Sequence, residues 1–421
     1  MEEASRDLTT ALAADVLLPL ALDGAYSYLV PEGAVVQPGC YVKVPLGPQM
    51  RIGIVWGEPK PALECEKPER LREMAHVYNV RDAPPLPDLN RKFIDWVAAY
   101  TLSPPGQVMR MTLRVPAALD PPPVRFGYKT SGQAPERLTP QRARVLEVAD
   151  EGPAWAGSDL ASAAGVSSAV VKGLAEAGAL EKIALPALKP FTAPQPQARP
   201  VTLSSDQQEA SKVLRKAVVA RDFSVALLDG VTGSGKTEVY FEAVAAALAA
   251  GKQVLILLPE IALTGTFISR VDERFGAAPA GWHSGMKPRE RERVWRGVAH
   301  GDAKIVVGAR SALFLPWANL GLVIVDEEHE TAYKQEDGVR YHARDMAIVF
   351  GALGKFPIVL ASATPSLESL VNVDRGRYKL VRLPDRHGRA ELPQIDLVDL
   401  RETPPERGSW LSPPLVDAVG A

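Results

Sequence analysis

"DGVTGSGKTEVY", Asp229–Tyr240, decides how this chain is read. It contains G-x-x-x-x-G-K-[ST] in full, from Gly230 to Thr237. The motif follows the apolar run "FSVALL" (223–228) and leads into a helix predicted to open at Glu238, the strand–loop–helix order a phosphate-binding loop requires. Glycines let the backbone wrap phosphates, and amides at the helix start point at them. Gly230, Val231, Thr232, Gly233, Ser234, Gly235, Lys236 and Thr237 are therefore the candidate nucleotide-phosphate cradle. Lys236 is expected to meet the β- and γ-phosphates and Thr237 to hold Mg²⁺.

Outward from this loop the pattern alternates. The runs "QVLILLP", "KIVVG", "LGLVIVD" and "FPIVLAS" are separated by helical stretches. Fully apolar strands alternating with helices imply a parallel sheet covered on both faces. The strand "LGLVIVDEEHE" ends in Asp326 and Glu327, about ninety residues after the loop. Asp326 is expected to orient Mg²⁺ and Glu327 to polarise an attacking water, which with Lys236 makes the candidate catalytic set. In "ASATPS", Ser362 and Thr364 could sense the nucleotide, or Thr364 could simply cap a helix ahead of Pro365. "YKQEDGVRYHARD" interleaves Tyr333, Tyr341 and His342 with Lys334, Arg340 and Arg344. Such a mixture suits stacking on single-stranded nucleic acid; the alternative is a solvated loop.

Upstream, "CYVKVPLG" and "MRIGIVWG" read as short strands, and "PDLNRKFIDWVAAYTL" as a helix with Leu89, Phe93, Trp96, Val97 and Tyr100 on one face. Between the proline-rich stretches 119–140 and 184–203, both read as linkers, the pattern is helix-turn-helix. Thr139, Ser158 and Ser167 are the expected caps, Gly165 the turn, and "LEKIAL" a wing strand. DNA contact, protein docking and a plain spacer all remain open for this unit.

The chain of 421 residues is 46% hydrophobic and 23% charged, with a net charge of −2, so any nucleic-acid contact must come from local patches. No apolar run is long enough to span a bilayer and no signal peptide opens the sequence, so a cytoplasmic protein is expected. Cys40 and Cys65 read as ordinary thiols rather than metal or redox groups.

With "GVTGSGKTEVY", "LLPEIALT", "WHSG", "VVGARSALFLP", "VIVDEEHETAYKQ", "RYHARD" and "SATPSLE", the sequence resembles the primosomal replication-restart DNA helicases of superfamily 2, the PriA family. The resemblance runs from about residue 15 to the end and is densest between 203 and 370. It implies a multidomain α/β chain: a small β-rich 3′-DNA-binding domain (1–110), a winged helix (111–190), a linker (191–202), one RecA-like P-loop lobe with a parallel sheet (203–385), and a crossover segment (386–421). By position, Gln207 resembles the family's adenine-reading glutamine, and His329, Ser362 and Thr364 its coupling residues. Arg310 and Ser311 resemble a DNA-backbone contact, the 332–345 segment a loop reporting bound DNA, and Tyr26 and Gly39 parts of a 3′-end site. Ser27 stands where some relatives carry Asp, and "LTGTF" where they carry Pro-Gln after "LT".

The implied activity is ATP-dependent 3′–5′ unwinding at stalled or collapsed forks. Implied partners are forked and single-stranded DNA, primosome proteins, single-strand-binding protein and the replicative helicase loader, with no membrane. The family also continues into a second lobe with an arginine finger and a cysteine-rich insertion binding zinc; neither that lobe nor the zinc ligands occur in these residues. Two readings follow: a helicase component, or a non-motor protein that binds forks and perhaps ATP without autonomous unwinding.

Overall fold

The computed structural model describes residues 8–122, 124, 126–150, 152, 154–185, 191–259, 265–384, 395–406 and 408–420. Leu263 and Thr264 of "LTGTF", and the start of the 386–421 segment, lie outside them, whereas Gly265 and Thr266, which stand where relatives carry Pro-Gln, are described and open a helix.

The first unit is an antiparallel sheet of β1 (Leu12–Leu17), β2 (Tyr26–Leu29), β3 (Tyr41–Leu46), β4 (Gln49–Val55), β5 (Lys60–Pro61) and β6 (His76–Val77). Its order is β2-β1-β4-β3-β6, with β5 also paired to β1. Successive side chains on a strand point to opposite faces. Val16, Val42 and Val55 accordingly enter one core with Tyr28 and Val44, while their neighbours Leu17, Tyr41 and Ile54, in register across the sheet, enter another. That second core receives α1 (Asp88–Thr101) and α2 (Pro105–Met109). The buried stripe of α1 is Asn90, Phe93, Ile94, Val97 and Ala98 rather than the expected one. Tyr100 is 64% exposed and stacks on the half-buried Trp96 at the helix edge, outside the single cluster that takes up Phe93, Ile94, Val97 and Ala98.

The winged unit pairs β7 (Phe126–Thr130) with β8 (Trp155–Ala156) and β9 (Leu180–Ala184) around α3 (Pro140–Asp150), α4 (Gly157–Ala163) and α5 (Ser168–Glu176). The stretch 119–140 is thus not all linker: β7 contributes the central strand, hidden in the sequence by the prolines before it and by Gly127. Leu113, Val115, Ala118 and Leu119, past the expected boundary at 110/111, are buried in a cluster that the first unit shares with the parallel-sheet lobe. Thr139 Oγ1 accepts from the Arg142 amide at 3.3 Å, as a cap should. Ser158 is no cap; it lies inside α4, behind Ala156, and donates to Asp159. Ser167 takes the cap position of α5 without a side-chain bond.

After α6 (Ser205–Ala220) comes the parallel sheet: β10 (Val225–Gly230), α7 (Lys236–Ala249), β11 (Gln253–Leu257), α8 (Gly265–Phe275), β12 (Ala280–Trp282), α9 (Pro288–Ala299), β13 (Ile305–Gly308) and β14 (Leu320–Asp326). A hairpin, β15 (Lys334–Gln335) and β16 (Tyr341–His342), precedes α10 (Ala343–Gly354), β17 (Ile358–Ser362), α11 (Leu367–Asp374) and β18 (Lys379–Leu383); α12 (Pro413–Gly420) follows. The sheet order is β12-β13-β11-β14-β17-β10-β18, with every pair parallel. The mixed α/β class and the apolar parallel sheet agree with the sequence reading; β12 and β18, at the two edges, were not foreseen. Among the described residues no helix is long and apolar enough to cross a membrane.

One cluster joins the first unit to the lobe. Phe93 stacks on Phe350 with ring centroids 4.3 Å apart, and Tyr41 meets Trp295 edge-on at 5.7 Å. Asn90 donates to the Leu315 carbonyl at 2.9 Å, Trp295 Nε1 to Thr112 O at 2.9 Å, and Arg296 to the carbonyls of Ala117, Ala118 and Asp120.

Candidate nucleotide and nucleic-acid site

In the sheet order, β14, β17 and β10 are neighbours, so the segments after Asp326, Ser362 and Gly230 emerge side by side at the carboxyl edge. Open α/β sheets bind ligands at that edge. A cavity of about 400 Å³ lies there, lined by Thr202, Gln207, residues 232–238, Arg270, Asp326 and Glu327.

The loop has the backbone its glycines permit. Gly233 and Gly235 have φ of 82° and 83°, the left-handed region that L side chains avoid. A Cβ on Gly235 would also collide with Gln207 Nε2. The helix α7 begins at Lys236, two residues before the expected Glu238. Lys236 Nζ, largely buried, donates to the Gly230 carbonyl at 2.7 Å and so curls back over its own loop. Ser234 Oγ is buried without a partner. A buried orphan hydroxyl, a buried ammonium and a glycine cradle are groups that an anion would satisfy, so these residues fit a nucleotide phosphate.

Gln207 sits in a capping box: Ser204 Oγ accepts from the Gln207 amide, and Gln207 Oε1 accepts from the Ser204 amide at 3.0 Å. Its Nε2 donates to Ser234 O at 2.9 Å, so this side chain braces the phosphate loop from α6 while lining the cavity.

Asp326 Oδ2 accepts from the Tyr240 hydroxyl at 2.8 Å and Oδ1 from the Glu327 amide at 3.0 Å. Burial, reinforced by the Glu327 charge, pushes its pKa up against the pull of Tyr240 and Lys236. Thr237 and Asp326 are the residues that would hold Mg²⁺, since an oxygen pair of this kind suits a hard cation. Glu327 has φ of 46°, unusual for a side-chain-bearing residue, and its carboxylate stands half-exposed. His329 Nδ1 lies 3.7 Å from Glu327 and 2.8 Å from Ser362 Oγ. Ser362 Oγ in turn accepts from the Thr364 amide at 3.0 Å. The helix-cap alternative for Thr364 fails: the cap of α11 is Ser366, which accepts from the Ser369 amide.

Three contributors escaped the sequence reading. Tyr240 closed the opening motif and, one helical turn past Lys236, could have been placed on the sheet side of α7. Arg270 reaches the cavity from α8 and pairs with Glu238 at 2.8 Å; no local pattern marks it. Glu328, fully buried, accepts from Arg344 Nη1, the Ser366 amide and hydroxyl, and the Ser369 hydroxyl. It thereby clamps the Asp326 segment to α10 and α11.

The nucleic-acid candidates separate sharply. Tyr333 and Tyr341 are buried in the shared core, Tyr341 edge-on to Phe314, and Arg344 is taken up by Glu328 and Asp345. A two-residue-stranded hairpin has almost no ladder of its own, so it holds its shape by burying its rings, which removes them from stacking on a strand. His342 is half-buried beside Tyr333, and burial lowers its pKa. Lys334 and Arg340 are exposed. Arg310 Nη1 donates to the Ala332 and Lys334 carbonyls, gripping both sides of Tyr333, and Ser311 Oγ accepts from Trp282 Nε1. Tyr333 in turn donates to the Leu257 and Asp326 carbonyls, at 3.0 and 2.5 Å. The hairpin is thus joined through one side chain to the backbone of the candidate metal ligand.

In the first unit Tyr26 is 45% exposed, and Gly39, at φ of 95°, lies tight against the Leu86 backbone. Ser27 Oγ donates to Asp15 Oδ1 at 2.6 Å across the strand pair, and Lys60 meets Asp15 Oδ2 at 3.0 Å.

Residues 15–114 match the family model of a 3'DNA-binding domain (3'BD), and residues 204–373 that of a DEAD/DEAH box helicase. The replication restart protein PriA of Rickettsia felis is 33% identical over 96% of this chain and 51% of its own. That of Haemophilus influenzae is 32% identical over 96% and 56%, and that of Bacillus subtilis 43% identical over 48% and 25%. The chain thus spans about half the length of the curated relatives it matches most fully. Along nearly its whole length, this chain is a relative of the replication restart proteins PriA, joining a 3'DNA-binding domain to a DEAD/DEAH box helicase domain.

Proposed function

We propose that this chain binds ATP–Mg²⁺ in the cavity at the end of β10 and binds forked or single-stranded DNA, as a component of a PriA-type 3′–5′ helicase in replication restart. The observation carrying this is the convergence of Lys236, Thr237, Asp326 and Glu327 on one cavity, in a lobe packed against the 3′-DNA-binding unit. Bound Mg²⁺ supplies Lewis-acid charge to the phosphates. Lys236 adds a second cation, Glu327 holds water for in-line attack, and His329 with Ser362 reports the state of that carboxylate to the β17–α11 turn. The first unit holds the DNA end, and Arg310, Lys334 and Arg340 meet the backbone. The setting is the cytoplasm, at forks, alongside primosome proteins, single-strand-binding protein and the helicase loader.

The test is ATP binding and turnover by the wild-type chain with and without forked DNA, and by Lys236→Ala. Charge-assisted bonds contribute about 1.5–3 kcal/mol each, so Lys236→Ala should weaken nucleotide binding roughly ten- to a hundredfold and leave fork binding intact. Equal nucleotide affinity in the two proteins would overturn the site. Tight fork binding without turnover would replace the helicase reading with a non-motor fork-binding role.

A further inference from the structure

A second cavity, of about 310 Å³, lies between the first unit and the β15–β16 hairpin, apart from the nucleotide site. Gln107, Arg110 and Arg114 line one wall; Gln335, Asp337 and Gly338 line the other. We propose that this cleft is a subsite for the phosphodiester backbone of single-stranded DNA, with Arg110 and Arg114 as its phosphate-binding side chains. The inference rests on the DNA-binding reading above and assigns it a place between the two units.

Both arginines are solvent-exposed, and among the described residues neither side chain makes a hydrogen bond or ion pair. Two free guanidinium groups beside one carboxylate leave the cleft with a positive excess. Arg114 also acts on Tyr341 together with Arg310, so the cationic field continues around the base of the hairpin.

The backbone presenting the arginines is fixed from two sides. Gly106 is pressed against the carbonyls of Leu18 and Leu20, leaving no room for a Cβ. Met109 and Leu113 are buried, and Thr112 O accepts from Trp295 of the lobe. With the backbone fixed, only the two arginine side chains have to be ordered when they meet phosphate.

The chemistry selects backbone over bases. Guanidinium groups and the amides of Gln107 and Gln335 donate to phosphate and sugar oxygens, whereas the nearby rings of Tyr333 and Tyr341 are buried. The volume is at the lower end of small-ligand cavities, about 300–1,000 Å³, which suits a short length of sugar-phosphate. A strand lying here touches the hairpin whose Tyr333 holds the Asp326 carbonyl, so the subsite also places DNA where it can act on the nucleotide pocket.

The test is fluorescence anisotropy of a labelled oligothymidylate, titrated with the full chain over a range of salt. Each phosphate neutralised on a single strand contributes about 0.7 to the slope of log K against log salt, so Arg110→Ala/Arg114→Ala should flatten the slope by about 1.4 and weaken binding roughly ten- to thirtyfold near 0.1 M salt. The Arg110→Lys/Arg114→Lys variant should recover most of the slope, and ATP affinity should be unchanged in both. Wild-type affinity and slope in the alanine variant would overturn the subsite while leaving DNA binding standing. Weakened binding with an unchanged slope would overturn it too, since a phosphate contact must release counterions. If the wild-type chain binds no oligothymidylate, the DNA-binding reading falls with it.

Discussion

The 3′-DNA-binding unit and the winged unit both accompany the helicase lobe, but they bury their apolar surface differently. The first unit contributes Leu17, Tyr41, Phe93 and Val97 to a cluster that also holds Trp295, Phe314 and Phe350 of the lobe. The winged unit buries Val145, Leu160, Val171 and Leu174 in a cluster made of its own residues. A shared core makes two units cooperate in folding and transmits displacement between them; a separate core leaves its unit able to unfold locally.

The largest effect should come from breaking the shared core. Phe93→Ala removes a ring stacked on Phe350 and should cost about 3–5 kcal/mol. In thermal unfolding followed by limited proteolysis, the first unit and the lobe should lose protection together. Leu160→Ala, costing about 2–5 kcal/mol, should expose only the winged unit. Separate loss of the first unit in the Phe93 variant would break the comparison.

A smaller effect should sharpen it. Tyr333→Phe strands the Leu257 and Asp326 carbonyls, at about 1–3 kcal/mol for a buried unsatisfied group. If the hairpin couples DNA to the nucleotide pocket, oligothymidylate should change ATP affinity less in this variant than in the wild type. By linkage, ATP should lose the same factor in its effect on DNA. Full coupling in the variant would show that the Tyr333 bonds merely hold the fold.

The smallest concerns Asp15, at the outer face of the first unit. Burial raises its pKa, but the hydrogen bonds from Ser27 and Lys60 and the Lys60 charge outweigh that, and the net shift is downward. A carboxylate with a depressed folded-state pKa contributes stability above its unfolded pKa and loses it as pH falls through the folded value. Lys60→Ala should therefore raise the Asp15 pKa, seen by NMR titration, and reduce stability at neutral pH by no more than about 1 kcal/mol, the scale of exposed pairs. An unmoved Asp15 titration would remove Lys60 from the account.

Legibility in the sequence followed how local each feature is. The strands β10, β11, β13, β14 and β17 were readable because a strand covered on both faces is apolar throughout. At the edges, β12 has only three residues, and β18 carries Lys379 and Arg382 among its five residues, so neither shows that signature. Tyr333, Tyr341 and Arg344 were misplaced for a related reason: a tyrosine or arginine between charged residues looks exposed until a partner is known. Their partners, Leu257 O, Phe314 and Glu328, lie elsewhere in the chain.

The sequence by itself determined the phosphate loop, because its requirements are contiguous: glycines where φ must be positive, then Lys236 and Thr237 at a helix start. It also determined that a carboxylate pair ends an apolar strand. Only the tertiary structure decided that β14, β17 and β10 lie side by side, that Tyr240 and Tyr333 hold Asp326, and that Arg110 and Arg114 face the hairpin. Those contacts join residues far apart in the chain, and strand order and core packing, which no local spacing records, bring them together.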